Sequence, residues 1–263
     1  MWNPYVPLGA SQRRTLSLVG VVSVLISWSL LSGLGLVGPA KLPAPWDVGG
    51  ALVRLSWDVG RGESPLLIAT LWSTSRVLVA GMLVIVIGVP AGVAMGASPK
   101  IDAIFSPLID PFRSAPIVAV LPILVMWLGI GELMKITFLF LGAVVYLVPM
   151  VRDAVRSVPH TYFTSARDLG ATELEAVRLS LLPMAMPRIA DAITVAVSVM
   201  WTYITVAEYI NAERGLGQLI QNARRFSAMD QVFAGIFVII ALALITYSAM
   251  VALRRRVFHW ETT

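Results

Sequence analysis

Arg76, Arg113 and Glu208 are ionisable residues set in otherwise apolar stretches of the sequence. Holding a charge inside a membrane is costly, so each is a functional candidate by default. Arg113 stands three residues after Asp110. If a helix persists there, the two form a buried pair that holds a broken segment in shape, a reading preferred to substrate contact. Glu208 follows Trp201 and Tyr203 in the same apolar run, which suits a gate or interface residue near a membrane surface. It would repel an anion. The chemistry these groups offer is admitting, orienting or blocking a solute, with no bond made or broken.

Bond-making chemistry lacks its residues. The chain has no cysteine, which removes disulfides, thiolate metal sites and thiol nucleophiles together. His160 and His259 stand in no ligand set, so no metal site is expected. The lysines, Lys41, Lys100 and Lys135, follow Ala, Pro and Met, whereas the phosphate-binding loop of ATPases needs a lysine directly after a glycine. There is no G-x-S-x-G elbow and no H-E-x-x-H helix. A Ser–Lys dyad is disfavoured because each lysine falls in a loop or at the end of an apolar run. We expect no catalytic residue and no cofactor in this chain.

The elements that must position these residues are membrane helices. Of 263 residues, 57% are hydrophobic and 13% charged, and the mean hydropathy is +0.81; a soluble domain has about 25% charged residues. Crossing a bilayer takes about 20 predominantly apolar residues, and six segments qualify: 16–37, 66–95, 104–128, 133–151, 189–210 and 232–253. The whole chain, 1–263, reads as a single membrane domain. The third segment holds Pro107, Pro111, Pro116 and Pro122, so it belongs inside a bundle where neighbours can satisfy the freed carbonyls. Arg13 and Arg14 flank the first run, Arg254, Arg255 and Arg256 follow the last, and five more arginines lie between the fourth and fifth. That excess puts both termini and the 161–188 stretch in the cytoplasm. It also accounts for the +5 net charge without nucleic acid, since no aromatic and basic cluster suggests base stacking. The first run exceeds the 7–15 apolar residues of a secretion signal and is expected to stay attached.

The stretch 161–188 is unlike its surroundings. It carries Arg167, Asp168, Glu173, Glu175, Arg178 and Arg188 and ends near Leu182-Pro183. Two short helices are expected on either side of Gly170, which can turn the chain at positive φ. Thr172 and Glu175 have capping-box spacing. Leu174, Val177, Leu181 and Leu182 recur at helical spacing, and Leu182-Pro183 with Pro187 should end or kink that helix before the fifth span.

The same stretch resembles the EAA loop of binding-protein-dependent ABC importer permeases. That pattern runs Glu-Ala-Ala, three residues, Gly, nine residues, a hydrophobic residue, any residue, Leu-Pro. Ala166, Gly170, Leu182 and Pro183 fall in register, while Thr164 and Ser165 replace Glu and Ala and Ser180 stands where an aliphatic residue is usual. Further strings are similar to the taurine/alkanesulfonate/nitrate-type permeases: KLPAPWDV at 41–48, AGVAMGASP at 91–99, LPILVMWLGIGELMKI at 121–136, VAEYINAERGLGQLIQNA at 206–223 and MDQVFAGI at 229–236. The resemblance implies an all-α integral membrane protein with the type I ABC importer (MetI-like) transmembrane fold, six spans and a cytoplasmic coupling-helix loop. It implies a permease in the bacterial inner membrane, paired with a second copy as a homodimer. Two cytoplasmic ATPases holding ATP and Mg would dock on Thr164, Ser165, Ala166, Arg167, Asp168, Leu169, Gly170, Ala171, Glu173, Leu182 and Pro183. A periplasmic or lipid-anchored binding protein would deliver the solute.

Residues and resemblance together suggest a small oxyanion such as taurine or a sulfonate, with Arg76 and Arg113 giving the path positive character and Trp201, Tyr203 and Glu208 along it or at its gate. Nitrate, bicarbonate, riboflavin and thiamine precursors are the alternatives within the family. Outside it, a self-sufficient secondary transporter is the competing reading, although such folds usually show broken helices in two repeats and no internal repeat is visible here. After the fifth span, Leu216, Leu219, Ile220 and Ala223 share one helical face and Gln218, Gln221, Asn222 and Arg225 the other. That describes a helix on the membrane surface. The resemblance adds that Arg214, Gln218, Arg224 and Arg225 form the rim where the binding protein docks.

Overall fold

A computed structural model describes residues 9–57, 64–210 and 213–261, and every regular element among them is helical. Among the described residues, five helices are long and apolar enough to cross a membrane, or six if one bent pair counts as a span. The chain divides into two compact units, residues 1–66 with 219–237 and residues 67–218 with 238–263.

In the first unit, α1 (Ala10–Gly33) ends where Gly35 turns the chain at φ +68°. Helix α2 (Pro45–Ser56) starts with proline at its first position, where the missing N–H is no loss. It packs Val48, Ala51, Leu52 and Leu55 against Trp28, Phe233 and Ala234, the last two from the start of α11 (Met229–Val257).

The second unit is built on α6 (Glu132–Arg156) and α9 (Leu182–Tyr209), its most extensively paired helices. Their shared core joins large residues of α6, Met134, Phe138, Leu139, Leu147 and Val151, to small ones of α9, Ala185, Ala192, Ala196 and Ala207. Small residues let backbones approach, which is how membrane helices gain contact without a hydrophobic drive from lipid. Helix α3 (Pro65–Ala97) uses the same device with Gly88, Gly92 and Gly96. A Cβ on Gly92 would lie 2.6 Å from Val151 Cβ, and one on Gly96 would lie 2.7 Å from Val155 Cβ.

The segment 104–128 is no straight crossing. Helix α4 (Pro99–Ile109) continues as a 3-10 turn to Arg113, the chain bends by 99°, and a second 3-10 turn leads into α5 (Leu121–Leu128). Proline at 107, 111, 116 and 122 denies this stretch a continuous ladder of backbone bonds.

Before the fifth span, of the two expected outcomes at Leu182-Pro183, an end or a kink, the helix does not end. Helix α8 (Glu173–Ala176), a π turn (Val177–Leu181) and α9 form one unbroken helix from Glu173 to Tyr209. The wide π turn just before Pro183 takes up the clash its ring would make with the carbonyl four residues back. It also shifts the helical phase. Leu174 and Leu179 are left exposed while Ala176 is buried.

Candidate functional site

At one end of the α6/α9 pair lies the loop between them. Helix α7 (His160–Asp168) meets α8 through Gly170, whose φ is +92°. The expected capping box is formed: the Thr172 N–H donates to Glu175 Oε2 at 2.8 Å, and the Glu175 N–H donates to Thr172 Oγ1 at 3.3 Å. Two further bonds set the angle of the hairpin, from Arg167 Nη1 to the Ala171 carbonyl at 2.6 Å and from Ser180 Oγ to the Tyr162 carbonyl at 2.9 Å. Thr164, standing where the pattern has Glu, donates its hydroxyl to the Thr161 carbonyl of its own helix at 3.0 Å. Thr164, Ala166, Ala171 and Leu182 are half-buried. Ser165, Asp168, Glu173 and Pro183 are exposed, and Leu169 and Leu174 are 90% and 76% exposed.

The opposite end of the same pair is a closed polar cluster. The Arg76 guanidinium bonds Glu132 twice, at 2.6 and 2.7 Å, and donates to Glu208 Oε1 at 2.6 Å and to the Arg214 carbonyl at 2.8 Å. Lys135 Nζ reaches Glu132 at 2.8 Å. Ser73 Oγ donates to Glu208 and accepts from the Leu216 N–H, and the Gly217 N–H donates to Glu208 Oε2 at 2.7 Å. The Glu208 carboxylate thus meets the opening N–H groups of α10 (Leu216–Arg225), where the helix dipole favours a negative charge. Gly215 makes room for it: at φ +133°, a Cβ there would fall 2.5 Å from the carboxylate. Arg76 and Arg214 both stack on Trp72, 5.5 and 5.7 Å from its ring centre. Glu132 and Glu208 offset Arg76 and Lys135, Arg214 is exposed, and Glu208 is wholly buried. A fully bonded pair of this kind holds its geometry, whereas removing one partner strands a buried charge at about 3–5 kcal/mol.

Arg113 is exposed at the bend and does not make the expected pair with Asp110. Asp102, Ser106 and Asp110 recur every fourth residue, so this face of α4 and its extension meets Arg152 of α6 instead. Arg152 Nη1 lies 3.1 Å from Asp110, 3.0 Å from Ser106 Oγ and 3.4 Å from Asp102, and Arg156 adds 2.9 Å to Asp102. Trp201 is buried in the core and Tyr203 packs edge-on to Phe138, 5.8 Å between ring centres, against Gly142. Along α10, Leu216, Ile220 and Ala223 are buried, Gln218 is half-buried, and Arg214, Arg224 and Arg225 are exposed. Sequence reasoning does not single out Ser73, Glu132 or Arg152. The only local hints are the i,i+3 spacings of Ser73 with Arg76 and Glu132 with Lys135.

Packed apolar helices, a broken span, internally neutralised charges and an exposed hairpin describe a polytopic membrane protein. Residues 84–259 match the family of binding-protein-dependent transport system inner membrane components. The chain is 34% identical to the taurine transport system permease protein TauC of Escherichia coli (strain K12), over 95% of this chain and 91% of that one. It is 28% identical to a putative aliphatic sulfonates transport permease protein, SsuC, of Bacillus subtilis (strain 168), over 91% and 85%. Among solved structures, an inward-facing MetNI methionine ABC transporter matches with a TM-score of 0.66 and 25% identity, over 73% of this chain and 96% of that one. The chain belongs to the binding-protein-dependent transport system inner membrane component family. It is a multi-pass inner-membrane permease of an ABC importer with the MetI-like fold, a non-catalytic subunit that works with an ATPase and a substrate-binding protein.

Proposed function

We propose that this permease imports taurine or a closely related alkanesulfonate. The observation that carries the reading is the 34% identity, sustained over 95% of the chain, to a taurine permease; the likeness to an aliphatic sulfonates permease supports the same substrate class. The working unit is a homodimer with two ATPases that hold ATP and Mg, and a periplasmic or lipid-anchored binding protein delivers the solute. Both termini and the 161–188 hairpin face the cytoplasm, as the arginine distribution supports.

In this reading the ATPase docks on the hairpin from Thr164 to Pro183. Leu169 and Leu174 supply the apolar contact, and the exposed Asp168 and Glu173 supply the charge that Thr164 lacks. ATP-driven closure of the ATPases draws the hairpins together and rocks α9, which continues from α8 without a break. Arg113, exposed at the bend, is the path residue for the anion. Arg76, Glu208, Trp201 and Tyr203 hold the outer gate region in shape. The binding protein meets the ends of α10, Arg214 and Gln218 at its start and Arg224 and Arg225 at its finish.

Reconstitution with its ATPase and binding protein tests this. Taurine or an alkanesulfonate is expected to stimulate ATP hydrolysis and accumulate in vesicles. Accumulation of nitrate, riboflavin or a thiamine precursor with no response to sulfonates would overturn the substrate. Unchanged transport in Arg113→Gln would remove Arg113 from the path.

A further inference from the structure

Helix α2 has two apolar sides, and its packing uses one of them. Val48, Ala51, Leu52 and Leu55 close on Trp28, Phe233 and Ala234. Turned outward are Trp46, Val53 and, at the C-cap, Trp57, which are 63%, 72% and 62% exposed. The charges between these sides are already engaged. Asp47 accepts from the Ala44 N–H at 3.3 Å, and Arg54 reaches Asp230 at 2.6 Å. Single exposed apolar residues need no explanation. Two tryptophans and a valine on the outer side of a helix that joins two membrane spans have one, because amphipathic rings gather where headgroups meet acyl chains.

The packing fixes the depth. Trp28 lies five residues before the end of α1 at Gly33, and Phe233 lies four residues after the start of α11 at Met229. At 1.5 Å per residue, both contact points sit about 6–8 Å inside the ends of their spans. Helix α2 is held at that level. Trp28 Nε1 donates to the Pro43 carbonyl at 2.9 Å, Ser32 Oγ donates to the Leu42 carbonyl at 3.1 Å, and the Trp28 ring stacks on Phe233 and Phe237. An in-plane helix buries its apolar face about 5–10 Å into the boundary layer, so the two depths agree. The most apolar stretch of α1 has none of its residues buried, so this chain itself leaves the corner uncovered.

We infer that the outer side of α2 is a lipid-binding surface, with Trp46, Val53 and Trp57 lodged at the headgroup–acyl boundary. The helix anchors the chain between α1 and α3 in the membrane plane.

The test uses the assembled transporter in nanodiscs of palmitoyl-oleoyl phosphatidylcholine. Phosphatidylcholine brominated near the carbonyl end of its chains is expected to quench tryptophan emission more than lipid brominated near the methyl end. The Trp46→Phe/Trp57→Phe variant is expected to narrow that difference, leaving what the other six tryptophans contribute. Independently, because the chain has no native cysteine, a nitroxide on Val53→Cys reports depth without background, and it should collide more often with oxygen than with an aqueous nickel chelate. A label that collides more with the chelate, or emission indifferent to brominated lipid, overturns the inference. So does a Val53→Cys label immobilised by adding the binding protein, or one dipole-coupled to the second copy, since a protein would then cover this face.

Discussion

The two ends of the α6/α9 pair are built on opposite terms. At the end holding Arg76, the buried guanidinium and the buried Glu208 carboxylate bond each other and several further groups, and Gly215 and Gly217 are moulded around that carboxylate. At the hairpin end, large apolar side chains stand in the open and the bonds that exist brace the hairpin itself. The closed end keeps three helices and the start of α10 in register, and the open end leaves Leu169 and Leu174 uncovered by this chain. A charge inside a span is therefore weak evidence for a solute contact when the fold supplies its counter-charge.

The largest effect should come from breaking the closed end. Glu208→Ala leaves Arg76 short of a buried partner and should lower unfolding stability by about 3–5 kcal/mol, read as thermal melting of the purified permease. Arg76→Met/Glu208→Met should recover much of that loss; if the double variant were worse than the sum of the singles, the cluster would not be a closed pair. Next, Gly92→Leu forces α3 away from Val148 and Val151 and should cost about 1–3 kcal/mol in the same assay. At the open end, Gly170→Val strains a positive-φ turn by about 1–3 kcal/mol. It should separate ATP hydrolysis from solute uptake while the spans keep their melting behaviour. Normal coupling would return the hairpin to an ordinary loop. The smallest change in the isolated permease should be Leu169→Ser/Leu174→Ser, within about 0.5 kcal/mol for each exposed site. The same variant should weaken copurification of the ATPase. Retained copurification would place the docking contact elsewhere.

Features carried by near neighbours in the chain are legible in its sequence. The positive φ at Gly170, the Thr172–Glu175 capping box and the buried stripe of α10 each depend on residues a few positions apart. The irregularity of 104–128 is written in its prolines, but not the 99° bend they produce. The sequence left open whether the helix ends or kinks at Leu182-Pro183; it continues, because a proline is compatible with either an end or a π turn and packing selects between them. Asp110 finds a partner other than the expected one for a similar reason: local spacing offers Arg113, while the α4 stripe selects Arg152.

By itself, then, the sequence determined that the chain crosses a membrane, where the hairpin interrupts it, and which family it resembles. Hydrophobic runs, turn residues and motif registers are local quantities. Only the tertiary structure decided that Arg76 joins Glu132 and Glu208, that Gly92 and Gly96 seat α3 against α6, and that Trp46 and Trp57 face outward. Those facts depend on which helix faces meet, and no stretch of sequence contains both faces.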